Sequence, residues 1–322
     1  MERLRLGNSS VEVSALCYGT DLIGSKINEE DSFQLLDTFH GRGGTFIDTG
    51  NFYASWYPGC VGGESETTIG RWMAARGARK DIQISTKLAF DYPGCSGGLS
   101  AAEIERECEK SLRRLQTDHL DVYYAHRDDF ETPLEETMEA FHRLIKSGKV
   151  RAIGASNLWL WRIAEANMLA TVQGWSTYSV VEQRYTYLRP RHGADFGPQI
   201  CFTEDMKRFA RHHGITLIAY SILLQGAYTR DDKPLPAQFA GPEADDRLAA
   251  LAQVATETGA TMNQVIIAWM RQSDPQVLPI IAGSKPEQVR ENIGALDIIL
   301  SDDQMAMLTT AGDPNVKKAW LR

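Results

Sequence analysis

A chain of 322 residues that is 43% hydrophobic and 24% charged can bury a large core, and its length is ordinary for one α/β barrel with insertions. Its 34 Lys and Arg stand against 42 Asp and Glu, a formal charge of -8 without a basic run, which argues against a nucleic-acid partner. No window approaches the ~18 uninterrupted apolar residues of a membrane span, and the opening Met1-Glu2-Arg3-Leu4-Arg5 lacks the apolar stretch of a secretory signal, so the expectation is a cytoplasmic protein.

In chain order, residues 3–6 and 11–13 flank the turn Gly7-Asn8-Ser9-Ser10 and predict a hairpin able to plug the bottom of a barrel. Strands follow at 13–18, 45–49, 82–86, 120–125, 150–154, 178–181, 216–219 and 277–281. Between them lie helical patterns with charged outer faces. In 100–115, Ile104, Cys108, Ser111, Leu112 and Leu115 recur at threes and fours, and Ser100 with Glu103 reads as a capping box. Thr132 with Glu135 reads as another, slightly displaced.

Eight strands alternating with helices predict a single (β/α)8 barrel domain over 1–322. An open doubly wound sheet would favour a G-x-G-x-x-G loop after its first strand, and Cys17-Tyr18-Gly19-Thr20-Asp21 is not one. The five cysteines, Cys17, Cys60, Cys95, Cys108 and Cys201, are scattered and form no C-x-x-C pair. Adjacent His212 and His213 lack H-E-x-x-H spacing. Free thiols and no metal are the expectation.

Four long loops, at 52–63, 91–99, 184–201 and 223–245, all follow strands, the end of a barrel where active sites are built. The strand ends are rich in reactive types: Asp48 with Tyr53 just beyond, Lys87, His126, Ser156-Asn157, Glu182-Gln183 and Tyr220-Ser221. Arg184, Arg191, Asp128 and Asp129 read as solvated loop charges.

Taken in order, Phe46-Ile47-Asp48-Thr49 plus Tyr53, Gly63-Glu64-Ser65-Glu66, Lys87, His126, Gly154-Ala155-Ser156-Asn157, Gln183, Ala219-Tyr220-Ser221 and the ending Ile280 to Asn292 resemble the aldo-keto reductase family over nearly the whole chain. The resemblance implies NADP(H)-dependent exchange between a small-molecule carbonyl and an alcohol. Tyr53 would be the acid in reduction and the base in oxidation. A phenol is poorly matched to neutral pH, and an ammonium at Lys87, itself paired with Asp48, is expected to lower its pKa. His126 would donate to the carbonyl oxygen.

The resemblance further implies that Ser156, Asn157 and Gln183 hold the nicotinamide carboxamide, with Tyr220 stacked on its ring and Ser221 beside it. The adenosine end would lie along Gly283, Ser284, Lys285, Gln288, Glu291 and Asn292, on a helix beginning near Pro286 whose first turn could cradle a 2′-phosphate. The chain departs from the family at Ile222, where proline is common. The loop beyond keeps Gly226 as its one candidate for the pyrophosphate.

Trp56, Tyr57 and Trp159 are the candidate substrate walls, suited to a flat, sugar-like ring. Two rivals share the barrel: an NADP(H)-binding redox-sensing or regulatory subunit, and an enzyme using bound NADP in an internal redox cycle.

Overall fold

The hairpin forms where its turn predicts: β1 (Arg3–Arg5) pairs antiparallel with β2 (Glu12–Ser14). Gly7 in the turn has φ +51°, and a Cβ there would stand 2.2 Å from the Ser179 carbonyl oxygen, so the close approach of the hairpin to the barrel needs glycine. This computed structural model describes residues 1–313, and the last nine residues of the expected 1–322 domain lie outside them.

Eight parallel strands close the barrel in sequence order: β3 (Cys17–Gly19), β4 (Phe46–Asp48), β5 (Gln83–Leu88), β6 (Leu120–Ala125), β7 (Val150–Ser156), β8 (Tyr178–Arg184), β9 (Thr216–Tyr220) and β10 (Val277–Ile281), which pairs back onto β3. Outside run α1 (Glu29–His40), α2 (Glu64–Arg76), α3 (Ala101–Leu115), α4 (Leu134–Lys146), α5 (Leu160–Gln173), α6 (Glu204–His213), α7 (Pro242–Thr258), α8 (Met262–Gln272), α9 (Pro286–Gly294) and α10 (Asp302–Thr310). Two α-helices, α7 and α8, not one, separate β9 from β10.

The strand read as 13–18 is two pieces. Ser14 ends the hairpin, and its hydroxyl donates to the Leu16 carbonyl while accepting from the Thr45 and Phe46 amides. That buried corner turns the chain into the barrel at Cys17. An unbroken apolar run hides such a corner, because both pieces are buried.

Two apolar layers hold the fold. Leu6, Val11 and Val13 of the hairpin pack against inward-facing Cys17, Phe46, Val122, Ala152, Val180, Ile218 and Leu278, which closes the barrel's bottom. The larger layer lies between strands and helices, where Ile104, Cys108, Leu112 and Leu115 bury the predicted face of α3. Ser100 caps α3 by accepting from the Glu103 amide, but the Glu103 carboxylate goes to Cys95 and Arg106 instead of closing the box. The second expected box is absent: Thr132 donates to Asp129, and α4 starts after Pro133 without a side-chain cap.

Loops 49–63, 89–100, 185–203 and 221–241 follow β4, β5, β8 and β9, so they all gather at the C-terminal ends of the strands.

Candidate active site

Because side chains alternate along a strand, the residue two beyond an inward-facing one also points inward. Phe46 is followed on that face by Asp48, Ser85 by Lys87, and Val180 by Glu182. Register sets Asp48 opposite Ser85 and Lys87 opposite Tyr124. Three charged groups from three strands therefore meet above the apolar plug.

Lys87 is fully buried. Its ammonium donates to the Asp48 carboxylate, to the Thr49 carbonyl at 3.0 Å and to the Tyr53 hydroxyl oxygen at 3.1 Å. The Ser85 hydroxyl donates to the other Asp48 oxygen at 2.6 Å. Tyr53 stands in the first turn after β4, over Gly50, where a Cβ would press to 2.9 Å from the Tyr53 ring. The ring cannot settle so closely on any other residue.

The electrostatics follow from burial. It pulls the Lys87 ammonium down, but Asp48, then Glu182 and Tyr53, more than offset it and keep it charged. Burial raises the Asp48 carboxyl against the pull of Lys87 and Ser85. The Tyr53 phenol moves well above its ordinary value: burial dominates, Lys87 pulls down, and Asp48 and Glu182 push up. The expected downward pull of Lys87 is present, yet it loses to the rest. The phenol therefore holds its proton at neutral pH, as a proton donor must. Burial, then Lys87 and Arg127, hold His126 well below its usual range, so the imidazole is neutral. Its Nδ1 is buried without a partner.

Sequence reasoning assigned no role to Glu182, although its place two residues after Val180 could have found it. It is 2% exposed, with Oε1 3.5 Å from Lys87 Nζ and Oε2 unpartnered. Also missed were Phe52 and Phe90, which form a ring wall with His126. The Phe52 and Phe90 rings stack at 4.7 Å, and their centroids lie 5.3 and 5.0 Å from that of His126. Trp56 joins through Phe52 at 5.1 Å and Tyr53 at 5.9 Å while remaining 46% exposed. Tyr57 lies behind Trp56. Trp159 is 54% exposed just before α5, and no ring pair joins it to this wall among the described residues.

The residues expected around a nicotinamide are brought together, and they grip one another. The Asn157 backbone N–H donates to the Gln183 side-chain oxygen Oε1 at 2.8 Å, and Gln183 Nε2 donates to the Leu158 carbonyl. Asn157 takes the Tyr220 hydroxyl at 2.6 Å and donates to the Ser156 hydroxyl and the His126 carbonyl. The Ser156 hydroxyl retains its own proton to give.

Two observations fit a dinucleotide nearby. Ser221, Leu224, Gln225 and Gly226 all take positive φ, a tight run of turns directly after β9, the kind of backbone that can form an anion-binding concavity. Arg184, paired in register with Tyr220, is half-buried, with its guanidinium 5.0 Å over the Phe196 ring and Nε and Nη1 free of hydrogen-bond partners, so it can still receive an anion. Arg184 is thus not the solvated loop charge expected from sequence.

Asp128 is not a solvated loop charge either, since it pairs with Arg162, and Asp129 accepts from the amides of Leu99, Glu131 and Thr132. Arg191 is exposed as read.

At the far end, α9 begins at Pro286 as predicted, with Ser284 and Lys285 exposed before it and Gly283 half-buried. Gln288 folds back to accept from the Ser284 amide, Glu291 accepts from Thr261, and Asn292 is buried on the Ala282 carbonyl. The three share α9 but have three different partners. Between the loop after β5 and α3, Cys95, Glu103 and Glu107 bring ligand-type atoms within 4.8 Å of one another, but Arg106 and Lys110 take up the carboxylate charge.

Comparison with known proteins gives concordant results. A family model described as Aldo/keto reductase family matches residues 15–313. The chain is 30% identical to norsolorinic acid reductase of Aspergillus flavus over 96% of this chain and 80% of that one. It is 31% identical to aryl-alcohol dehydrogenase [NADP(+)] of Phanerodontia chrysosporium over 92% and 82%. Among solved structures, the thermostable aldo-keto reductase Tm1743, in complex with the inhibitor epalrestat, superposes with a TM-score of 0.77 at 27% identity, covering 96% of this chain and 99% of that one.

Proposed function

The chain belongs to the aldo/keto reductase family, and from that premise we propose that it is an NADP(H)-dependent oxidoreductase interconverting an aryl aldehyde or ketone and its alcohol. The contact that carries this reading is Lys87 Nζ to Tyr53 Oη at 3.1 Å, with Asp48 behind the ammonium and His126 across the opening. The ammonium donates to the phenol oxygen, which leaves the phenol's own O–H free for a substrate.

When bound, the dinucleotide supplies the hydride. As the carbonyl π pair moves onto oxygen, Tyr53 gives its proton to that oxygen and Lys87 stabilises the phenolate left behind. Neutral His126 donates a hydrogen bond to the same oxygen and keeps its own charge unchanged. In oxidation the Tyr53 phenolate takes the proton back. Ser156, Asn157 and Gln183 would hold the carboxamide, and Tyr220 and Ser221 would flank the ring. Gly226 and Arg184 would meet the diphosphate, and Gly283, Ser284, Lys285, Gln288, Glu291 and Asn292 the adenosine end. A cytoplasmic location accords with five free thiols and with the absence, among the described residues, of any helix long and apolar enough to cross a membrane.

The ring wall of Phe52, Phe90, Trp56 and His126 favours an aromatic carbonyl over a sugar-like one, because it offers faces and edges but few hydrogen-bonding groups. The name of the aryl-alcohol dehydrogenase of Phanerodontia chrysosporium points the same way. Following the nicotinamide absorbance with a panel of aryl aldehydes tests the reading. Net NADPH consumption supports a reductase, and product without net consumption supports the internal cycle. Tight binding without any turnover supports the regulatory subunit.

Lys285→Ala should weaken NADPH by about tenfold or more and NADH little, since a charge-assisted contact contributes roughly 1.5–3 kcal/mol and only NADPH carries the 2′-phosphate. Fluorescence titration of both cofactors reads this, and equal weakening would remove Lys285 from phosphate recognition. The relative named for NADP(+) supports the preference.

Trp56→Ala should raise KM for an aryl aldehyde roughly two- to tenfold, the loss of an aromatic pair, with cofactor affinity unchanged. A sharp fall in Tm with KM constant would make Trp56 a loop anchor instead.

A further inference from the structure

We propose that Glu182 is a positioning residue for Lys87, and that its carboxyl proton sets how firmly the ammonium holds the Tyr53 phenol. The inference rests on the catalytic reading above and deepens it. The Lys87 ammonium has three protons and already meets three acceptors, Asp48, the Thr49 carbonyl and Tyr53. Glu182 Oε1 is a fourth claimant at 3.5 Å, and Oε2 has no partner at all. An ionised Glu182 would hold a second negative charge in a sealed interior on one weak contact, the costly form of a buried carboxylate. Protonated, it leaves Lys87 neutralised by Asp48 alone.

The groups that face Glu182 are Cys17 on β3, Asp48 on β4, Lys87 on β5, Tyr124 on β6 and Tyr220 on β9, with Tyr53 above. Lys87 is the one cation in that set. Burial, then Asp48, push the Glu182 carboxyl up to about 8 against the pull of Lys87. Both forms are therefore within reach of a pH titration.

The consequence for the proton donor has a definite sign. With Glu182 protonated, Lys87 serves Asp48 and Tyr53, and a phenolate forming at Tyr53 meets an undivided positive charge. When Glu182 loses its proton to solvent, the ammonium is shared between two carboxylates. The phenolate must then form beside an added negative charge, so carbonyl reduction slows as pH rises. Glu182 gives no proton to the substrate and stays in one protonation state through each turnover.

The test is the pH profile of kcat/KM for reduction of an aryl aldehyde by the wild type and by Glu182→Gln, which fixes the neutral form. The wild type should fall about tenfold per pH unit above a break near 8. The variant should pass through that region without the break, and at about one unit above it should retain roughly tenfold more of its neutral-pH rate. In difference infrared spectra, a protonated-carboxyl C=O band should disappear from the wild type across the same range and be missing from the variant. Should Glu182→Gln not fold, Glu182→Met, apolar and of similar volume, takes its place in both measurements.

The same break in wild type and variant, or no titrating carboxyl band at Glu182, would overturn the proposal. If neither protein reduces any carbonyl, the catalytic reading fails while the infrared band still decides whether Glu182 titrates.

Discussion

Tyr53→Phe is expected to slow the chemical step of carbonyl reduction by roughly 10²–10⁴-fold, the contribution of a positioned general acid. The phenol is well placed for that role: its oxygen accepts from Lys87, and burial with the nearby Asp48 carboxylate keeps its proton on at neutral pH. Phenylalanine retains the ring, which packs over Gly50 and against Phe52 and Trp56, so the loop keeps its shape. NADPH affinity should stay nearly constant, because the groups proposed to hold the dinucleotide lie on β7, β8, β9 and α9. Single-turnover kinetics separates chemistry from binding and release. A loss of only a few-fold there would mean that another group supplies the proton.

Lys87→Met should remove activity to a similar extent and destabilise the protein by about 3–5 kcal/mol, the effect of taking one partner from a buried ion pair. Two carboxyl groups, Asp48 and Glu182, would be left in the barrel with no cation between them and with the Ser85 hydroxyl as the donor to Asp48. Their response is to bind protons. Carboxyls that are protonated in the folded state but ionised in the unfolded chain make stability fall as pH rises above about 4, the ordinary carboxylate value. The variant should therefore be most stable in mild acid and lose stability towards neutral pH more steeply than the wild type. Adding Glu182→Gln to Lys87→Met should restore part of the loss, since only one carboxylate then remains stranded. Urea unfolding at several pH values measures both effects. A pH-independent deficit, or a double variant no more stable than Lys87→Met, would mean that the two carboxylates do not share the lysine.

Much of this molecule follows from periods that are local in the chain. Alternation along each strand sends Phe46 and Asp48 to the same side, as it does Ser85 and Lys87, whatever the rest of the fold does. The buried face of α3 and the start of α9 at Pro286 are likewise set by neighbours three or four residues away. Four reactive residue types near the ends of three successive strands could thus be read as facing one opening once a barrel was inferred.

Other features depend on distances between elements far apart in sequence. Barrel closure alone brings Glu182 to 3.5 Å from Lys87, 95 positions earlier in the chain, and turns an unassigned strand residue into part of the site. Loop packing alone stacks Phe52 on Phe90 beside His126 and lays the Arg184 guanidinium, which reads in sequence as an ordinary loop charge, over the Phe196 ring. The corner at Ser14, hidden within an apolar run, is likewise created by contact with β4. The protonation of Tyr53 is the sharpest case. Sequence identifies the lysine that pulls its pKa down, but the outcome is a sum of burial and every charge within a few ångströms. That sum exists only after the strands have closed and expelled water, because the low-dielectric interior that weights each term is itself a product of the fold.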